Sequence, residues 1–299
     1  MNYNQFKQSV EHYMKEQFPP KDYEVSIRTI TKNNGLTMDG LCIFKKGINA
    51  SPTIYLDSYY ERYKNGMILA DVLCMMEGEY YLGMKNAPDI PHPEVNYETV
   101  KNRIIMRLIN YEKNAEILQE CPYIRLYDLA ITFRWLAHQD DIGISTALIT
   151  HKEMEHWGIT KRELYRDASL NTPRIFPAHF STLQDIVKNN ESDIESADVE
   201  LYIITNEQGI NGATSILYRD VLEQIGDRLD NNYYLLPSSI HEMMVCPDED
   251  NVSPSMLLSL VKEANHMVVT MGEVLSDNIY YYDRLRKKLT FISQAKSNS

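Results

Sequence analysis

The stretch VELYIITNEQGINGATSILYRDVLEQIGDRLDNNYYLLPSSIHEMMVCP, residues 199–247, decides the fold class. Leu201 to Ile204 is a short apolar run of strand formers, bounded by Thr205 and Asn206. Its length suits a buried strand better than a helix. Asn206, Gly209, Asn211 and Gly212 tolerate left-handed backbone angles, so the chain turns there. From Ala213 the period changes. Leu217, Val221, Ile225 and Leu229 recur every four residues, with Ile216 and Leu222 beside them, and mark one helix face that Asn231 and Asn232 end. Tyr233 to Leu236 is a second strand, stopped by Pro237. A strand–helix–strand unit of this kind, among hairpins and amphipathic helices, predicts an α+β fold with mixed β-sheets.

Toward the N-terminus, Phe6, Val10, Tyr13, Met14 and Phe18 line one face of a helix that Pro19 and Pro20 stop. Tyr23 to Thr31 alternates like a half-buried strand. Asn33-Asn34-Gly35 then turns the chain, and Leu36 to Lys45 returns as the second arm. Thr53 to Leu56 is extended, Asp57 or Ser58 caps a helix, and Tyr59, Tyr60 and Tyr63 follow at helical spacing as packing residues. Met67 to Tyr81 continues as helix. The prolines between Asn86 and Pro93 mark a linker, so a ββα unit over residues 1–90 precedes a larger α+β body over 91–299.

Within that body, Arg103–Ile109, Leu129–Ala137 and Ile144–Thr150 are expected strands. Tyr111–Gln119, His151–Trp157, Lys161–Ser169 and Ser181–Lys188 are expected helices. Asn171–Pro177 reads as irregular, and acidic Asn189–Asp198 as a loop. Ser253-Pro254 is a helix start, an N-cap followed by proline at the first helical position. Leu257, Val261, Ala264, Val268, Met271 and Leu275 form its stripe. Ile279–Tyr282 and Leu289–Ile292 make a terminal hairpin.

Composition narrows the function. With 42 acidic against 30 basic residues in 299, the net charge of −12 argues against direct nucleic-acid binding, which needs clustered Lys and Arg. The Arg284, Arg286, Lys287, Lys288 cluster reads as a solvated hairpin end. Cys42, Cys74, Cys121 and Cys246 are scattered without a CxxC, as expected of reduced thiols in the cytoplasm. The polar opening residues do not resemble a signal peptide, and no apolar run approaches the roughly twenty residues that span a bilayer. No membrane association is expected.

Two places invite chemistry. Ser238, Ser239, His241 and Glu242 bring nucleophile, base and acid together after a strand, as a hydrolase or transferase would need. The same residues fit the S-x-x-E capping box, in which Ser239 and Glu242 satisfy backbone N–H groups at a helix start. The Asn206, Asn211 and Gly212 loop precedes a helix and resembles an anion cradle, although it matches neither GxxxxGK[ST] nor GxGxxG. No metal site is expected. His151 and His156 are five apart, whereas one helix face needs four, and Val245 stands where His241-Glu242 would need a second histidine. Asp140 and Asp141 read as solvated acids in a turn, and no cofactor motif is present.

The run TNEQGINGATSILYRDVLEQIGDRLDNNYYLLPSSIHEMMVCP, with NNGLTMDGLCIF, SPTIYLDSYYERYKNG and LSDNIYYYDR, resembles an uncharacterised bacterial protein family of clostridial type. More distantly, the order of elements from Arg103 to Pro247, with Trp157, Ile159 and Leu164, is similar to the uncharacterised YtpQ-like family. These resemblances imply a bacterial cytoplasmic protein and no established activity. The reading they leave is a non-catalytic intracellular binding or regulatory protein, whose partner is a protein or a small ligand. The alternatives are the hydrolase or transferase at Ser238–Glu242, with the Asn206–Gly212 loop as anion donor, and an acidic protein that blocks a nucleic-acid-binding partner.

Overall fold

The structure, a computed structural model, describes residues 1–48, 51–85, 96–139, 143–184 and 201–293. The chain divides into two compact units, Met1–Val95 and Asn96–Ser299. The Asn86–Pro93 and Asn189–Asp198 segments and Asp140-Asp141 lie outside the described residues.

In the first unit, helix α1 (Tyr3–Gln17) starts from a capping box. The Asn2 side chain accepts from the Gln5 N–H, and the Gln5 side chain accepts in return from Asn2. Strands β1 (Tyr23–Thr31) and β2 (Thr37–Lys45) pair as the alternation predicts, in register from Tyr23↔Lys45 to Thr31↔Thr37. Between them Asn34 and Gly35 take positive φ of 60° and 69°, the conformations these residues tolerate best. Strand β3 (Thr53–Tyr55) pairs with β2 and runs directly into helix α2 (Leu56–Lys64). The expected cap at Asp57 or Ser58 does not form. Tyr55 is the N-cap without a side-chain bond, because buried Leu56 anchors the helix start from the core. Helix α3 (Leu69–Lys85) completes the layer. Phe6, Val10, Met14 and Phe18 meet Leu41, Ile43, Ile54, Val72 and Met76 in one buried cluster. The tyrosines are packing residues: Tyr59 is buried, and Tyr60 lies against Phe6 and Tyr3.

The second unit holds two sheets. In one, β4 (Ile104–Asn110) and β5 (Tyr123–Leu126) flank β6 (Leu129–Gln139), and β7 (Ile144–Leu148) continues on the β5 side. The other has the order β13-β12-β10-β11-β9-β8, from β8 (Ala178–Thr182), β9 (Tyr202–Asn206), β10 (Tyr233–Leu236), β11 (Met243–Pro247), β12 (Ile279–Asp283) and β13 (Lys288–Ile292). The fold is α+β, but every pairing among the described strands is antiparallel, so the expected mixed sheets do not form. The physical reason is β11. It inserts antiparallel between β9 and β10, which therefore run parallel without touching, as in a split βαβ unit.

The largest core draws on one face of each sheet. Ile104, Met106, Leu108, Ile131 and Phe133 contribute from the first, and Ile204, Tyr233, Leu235, Val245 and Tyr280 from the second. Helix α4 (Tyr97–Val100) precedes β4, and helices α5 (His151–Trp157), α6 (Lys161–Ile175) and α7 (Val221–Leu229) come after their strands. Helix α8 (Pro254–Met267), capped by Ser253, seats Leu257, Leu258 and Val261 against the other face of β10 through Tyr234 and Leu236. Burial on both faces explains why β10 reads as an unbroken apolar run.

Several elements differ from their sequence pattern for identifiable reasons. Helix α6 continues through Pro173 to Ile175 instead of ending at Ser169. Its tail is held from outside: Asn171 Nδ2 donates to the Lys101 and Ile104 carbonyls, and Thr172 Oγ1 accepts from the Met106 N–H at 2.9 Å. Thr214 Oγ1 accepts likewise from the Leu108 N–H at 3.1 Å. Two hydroxyls thus close outward N–H groups on edge strand β4, a protection such edges require. Segment 213–229 is two pieces, a 3₁₀ turn at Gly212–Leu217 and then α7, separated at Asp220 with φ 66°. Of Tyr111–Gln119 only Ile117–Gln119 is helical, a 3₁₀ turn, because the Asn110 side chain accepts from the Lys113 N–H and ends regular winding. Ser181 and Thr182 belong to β8 rather than to a helix.

Candidate functional site

The loops at Asn206–Gly212 and Ser238–Glu242 meet at one corner. Asn206, buried at the end of β9, folds its own loop. Its Oδ1 accepts from the Gln208 and Ile210 N–H groups, and its Nδ2 donates to the Ile210 carbonyl at 2.8 Å. Asn211 follows with φ 53° and presents its N–H to His241 Nδ1 at 3.3 Å. Gly212 passes so close to the other loop that a Cβ there would strike the Thr205 hydroxyl, the His241 carbonyl and, at 2.7 Å, the Asn206 nitrogen. The Ala213 N–H donates to the Ile240 carbonyl, and the Ile240 N–H to the Glu273 carbonyl.

The same bonds decide what this corner does chemically. Because His241 Nδ1 accepts, the neutral ring carries its proton on Nε2, which faces Glu273 Oε1 at 3.6 Å. Both ring nitrogens are therefore engaged, neither of them with a serine. Ser239 Oγ accepts from the His241 backbone N–H at 3.0 Å, and Ser238 Oγ donates to the Glu242 carbonyl at 3.4 Å. A nucleophile needs its base within hydrogen-bond reach, and this geometry gives neither serine one. The S-x-x-E pattern is closed by the Glu242 backbone carbonyl, which accepts from the Ser239 N–H. The segment runs into β11 instead of starting a helix. The loop makes no anion cradle either. The N–H groups of Glu207, Gln208, Gly209, Ile210, Asn211 and Ala213 all donate within the protein.

A second place offers room. A cleft of about 700 Å³ lies between the β5–β6 turn and the approach to β12, lined by residues that include Lys113, Arg125, Asp128, Asp277 and Phe291. Its floor is a carboxylate held by three donors. Asp128 Oδ1 accepts from Tyr280 OH at 2.5 Å, and Oδ2 accepts from Ser276 Oγ at 2.5 Å and Asn278 Nδ2 at 2.9 Å. Burial, with the Asp128 charge beside it, pushes the Tyr280 phenol well above its ordinary value, so it stays a donor. Tyr127, at φ 56°, donates to the Leu289 carbonyl and stacks on Phe291 at 5.5 Å. On the rim the Lys113 ammonium stands 4.0 Å from Asp277, and Arg125 lies over the Tyr111 ring.

The model of a family of unknown function, DUF5688, matches residues 3–284. The chain belongs to that family. Its match reaches into both units of this DUF5688 protein and takes in the corner and the cleft lining except Phe291 and Ser293. The searches of curated proteins and of solved structures found no match. The bacterial origin and the likeness to YtpQ-like proteins remain readings of the sequence.

His151 and His156 lie on α5, and among the described residues no group of three His, Cys, Asp or Glu side chains is placed to hold a metal ion. Three of the four members of the basic cluster are paired: Arg284 with Asp227 and Asp230, Lys287 with Glu223, and Arg286 with Asp283. Sequence reasoning missed the cleft of the DUF5688 protein because Asp128 and its donors lie far apart in the chain. The one local signal is the polar triplet Ser276-Asp277-Asn278 between buried Leu275 and Ile279.

Proposed function

We propose that this DUF5688 protein is a non-catalytic binding protein of the cytoplasm, and that its ligand is a small polar molecule seated in the Asp128 cleft. One observation carries the reading. The floor of the cleft is locked by bonds within the protein, while charged groups of both signs, Lys113, Arg125 and Asp277, stand around about 700 Å³ of space. Preformed clefts of roughly 300–1,000 Å³ with a few convergent polar groups are where small molecules bind. Mixed charge favours a ligand that is itself zwitterionic or carries both an anionic and a hydroxyl or amino group. The hydrolase or transferase alternative at Ser238–Glu242 requires His241 to give up Asn211 or Glu273 so that one ring nitrogen can meet a serine. Among the described residues no helix is long and apolar enough to cross a membrane.

The test is a thermal-shift panel of amino acids, sugar phosphates and nucleotides on wild type and Lys113→Met. Lys113 is suited to this because it stands on the rim, outside the Asp128 frame. A ligand of the native state raises the melting temperature with the logarithm of its concentration over Kd. A compound that shifts wild type and loses its effect in Lys113→Met supports the reading. Shifts of equal size in both proteins refute it.

A further inference from the structure

The outer face of the β4–β6 sheet carries an arrangement that the cleft does not use. Along β4, Ile104, Met106 and Leu108 enter the large core, so Ile105, Arg107 and Ile109 point to the opposite face. Along β6, Ala130, Thr132 and Arg134 share that face. The register pairs Ile105 with Arg134 and Arg107 with Thr132, so the two arginines spring from diagonal positions on adjacent strands. Diagonal neighbours are roughly 7–8 Å apart, within easy reach for side chains of this length. Their surroundings are apolar or neutral: Ile105, Ile109, Cys121, Ala130 and Thr132 are buried around them.

The two guanidinium groups are differently held. Arg134 is fixed, its Nε donating to Thr146 Oγ1 at 2.7 Å and one Nη to the Thr146 carbonyl at 3.0 Å. Arg107 has nothing comparable. Its Nε is buried without a hydrogen-bond partner, and no carboxylate pairs with either arginine among the described residues. Burial and the neighbouring Arg134 charge pull the Arg107 value down to about 10. Other arginines also lack a carboxylate, but each of those is exposed; Arg107 and Arg134 are the two that are half-buried without one, whereas half-buried Arg284 is paired. Two like charges, half-buried on neighbouring strands with the Arg107 Nε wholly enclosed, lack the counter-ion that would satisfy both.

We propose that Arg107 and Arg134 form an oxyanion site on the outer face of this sheet, which takes the phosphate or carboxylate group of a ligand between the two guanidinium groups. Arg134 supplies a donor edge already positioned by Thr146. Arg107 supplies the fork that becomes satisfied only when the anion arrives. The site is separate from the cleft at Asp128 and does not depend on it.

The experiment compares wild type, Arg107→Met, Arg107→Lys and Lys113→Met by thermal unfolding. Inorganic phosphate and acetate are added separately, against chloride at matched ionic strength. Trp135 and Trp157 both belong to the Asn96–Ser299 unit, so tryptophan emission reports the unit concerned. Wild type is expected to rise by roughly 5–10 °C as an anion reaches a hundredfold excess over its Kd. Arg107→Met should lose that rise and melt no lower than wild type in chloride, because it removes an unpaired buried charge. Arg107→Lys should keep only part of the rise, since an ammonium is a point charge without the fork. Lys113→Met removes the cationic rim of the cleft, so the part of the shift that survives in it is the part assigned to the arginine pair. Phosphate and acetate acting unequally would assign the ligand group. The proposal is overturned if neither anion shifts wild type, or if Arg107→Met keeps the full shift. It is equally overturned if the shift disappears in Lys113→Met alone, or if Arg107→Met melts well below wild type in chloride.

Discussion

Replacing Asp128 by alanine withdraws one acceptor from three donors at once. Ser276 is fully buried and Tyr280 is 1% exposed, so their hydroxyls have no water to turn to, whereas Asn278 lines the cleft and does. A stranded buried donor costs about 1–3 kcal/mol. Two of them put Asp128→Ala at about 2–6 kcal/mol, a large share of the ~5–15 kcal/mol that holds a domain folded. Tyr280→Phe removes a donor and leaves Asp128 with solvent on its cleft side, so it should cost only about 1–1.5 kcal/mol. In the double variant the phenol is no longer there to be stranded, and its cost should fall about 1.5–3 kcal/mol short of the sum. Urea unfolding followed by tryptophan emission measures the cycle in the unit that contains both residues. A loss below about 1 kcal/mol for Asp128→Ala, or strict additivity in the cycle, would refute the view that this carboxylate organises the floor of the cleft.

Three further outcomes are expected. Gly212→Ala should destabilise by about 1–3 kcal/mol, because the new Cβ meets the His241 carbonyl and the Asn206 backbone rather than a flexible side-chain end; an unchanged urea midpoint would contradict the close approach. In the first unit the Lys7 ammonium, 2.6 Å away and assisted by Thr29, holds the Asp39 carboxyl below its ordinary range. A carboxyl lowered by folding contributes fully above its unfolded value of about 3.9 and loses that contribution as pH falls through the folded value, so Lys7→Met should flatten the acid limb below about pH 4 in a circular-dichroism titration. Native labelling with a maleimide, read by mass spectrometry, should modify exposed Cys74 first. Cys42 is buried, and burial pushes the Cys121 and Cys246 thiols up to about 11, so these three should react only after unfolding.

The legible parts of the sequence were those whose structure is set locally. The period of two across Tyr23–Thr31 and the Asn-Asn-Gly turn lead directly to β1 and β2. Ser253-Pro254 likewise leads to the start of α8. Illegible elements answer to distant partners. The Met243–Pro247 strand has no alternation of its own, and Ser239-Ile-His-Glu242 imitates a helix start just before it. Nothing local says that Asn171 and Thr172 carry α6 past Pro173, because the groups they bind belong to residues 101–106. Similarly, the stripe Leu257–Leu275 reads as one helix but ends at Met267, leaving Val268 82% exposed while Leu275 turns back into the core. As for sites, the two polar loops were visible and do meet. Their hydrogen bonds are consumed by each other, which only coordinates reveal. The Asp128 cleft and the arginine pair depend on register and chain crossings, and no window of sequence contains either.

The order of strands in the six-stranded sheet also has a consequence for how the chain is made. Strand β10 finds β11 almost at once, through a short connection, but its other neighbour is β12, where Tyr233 pairs with Tyr282. During synthesis the apolar backbone of β10 therefore waits, with one edge unpaired, until the helix after it and the next hairpin have left the ribosome. Such an edge is a template for other chains. A nascent chain stopped between Pro247 and Ile279 would carry that open edge, and it is the form of this protein most in need of a chaperone.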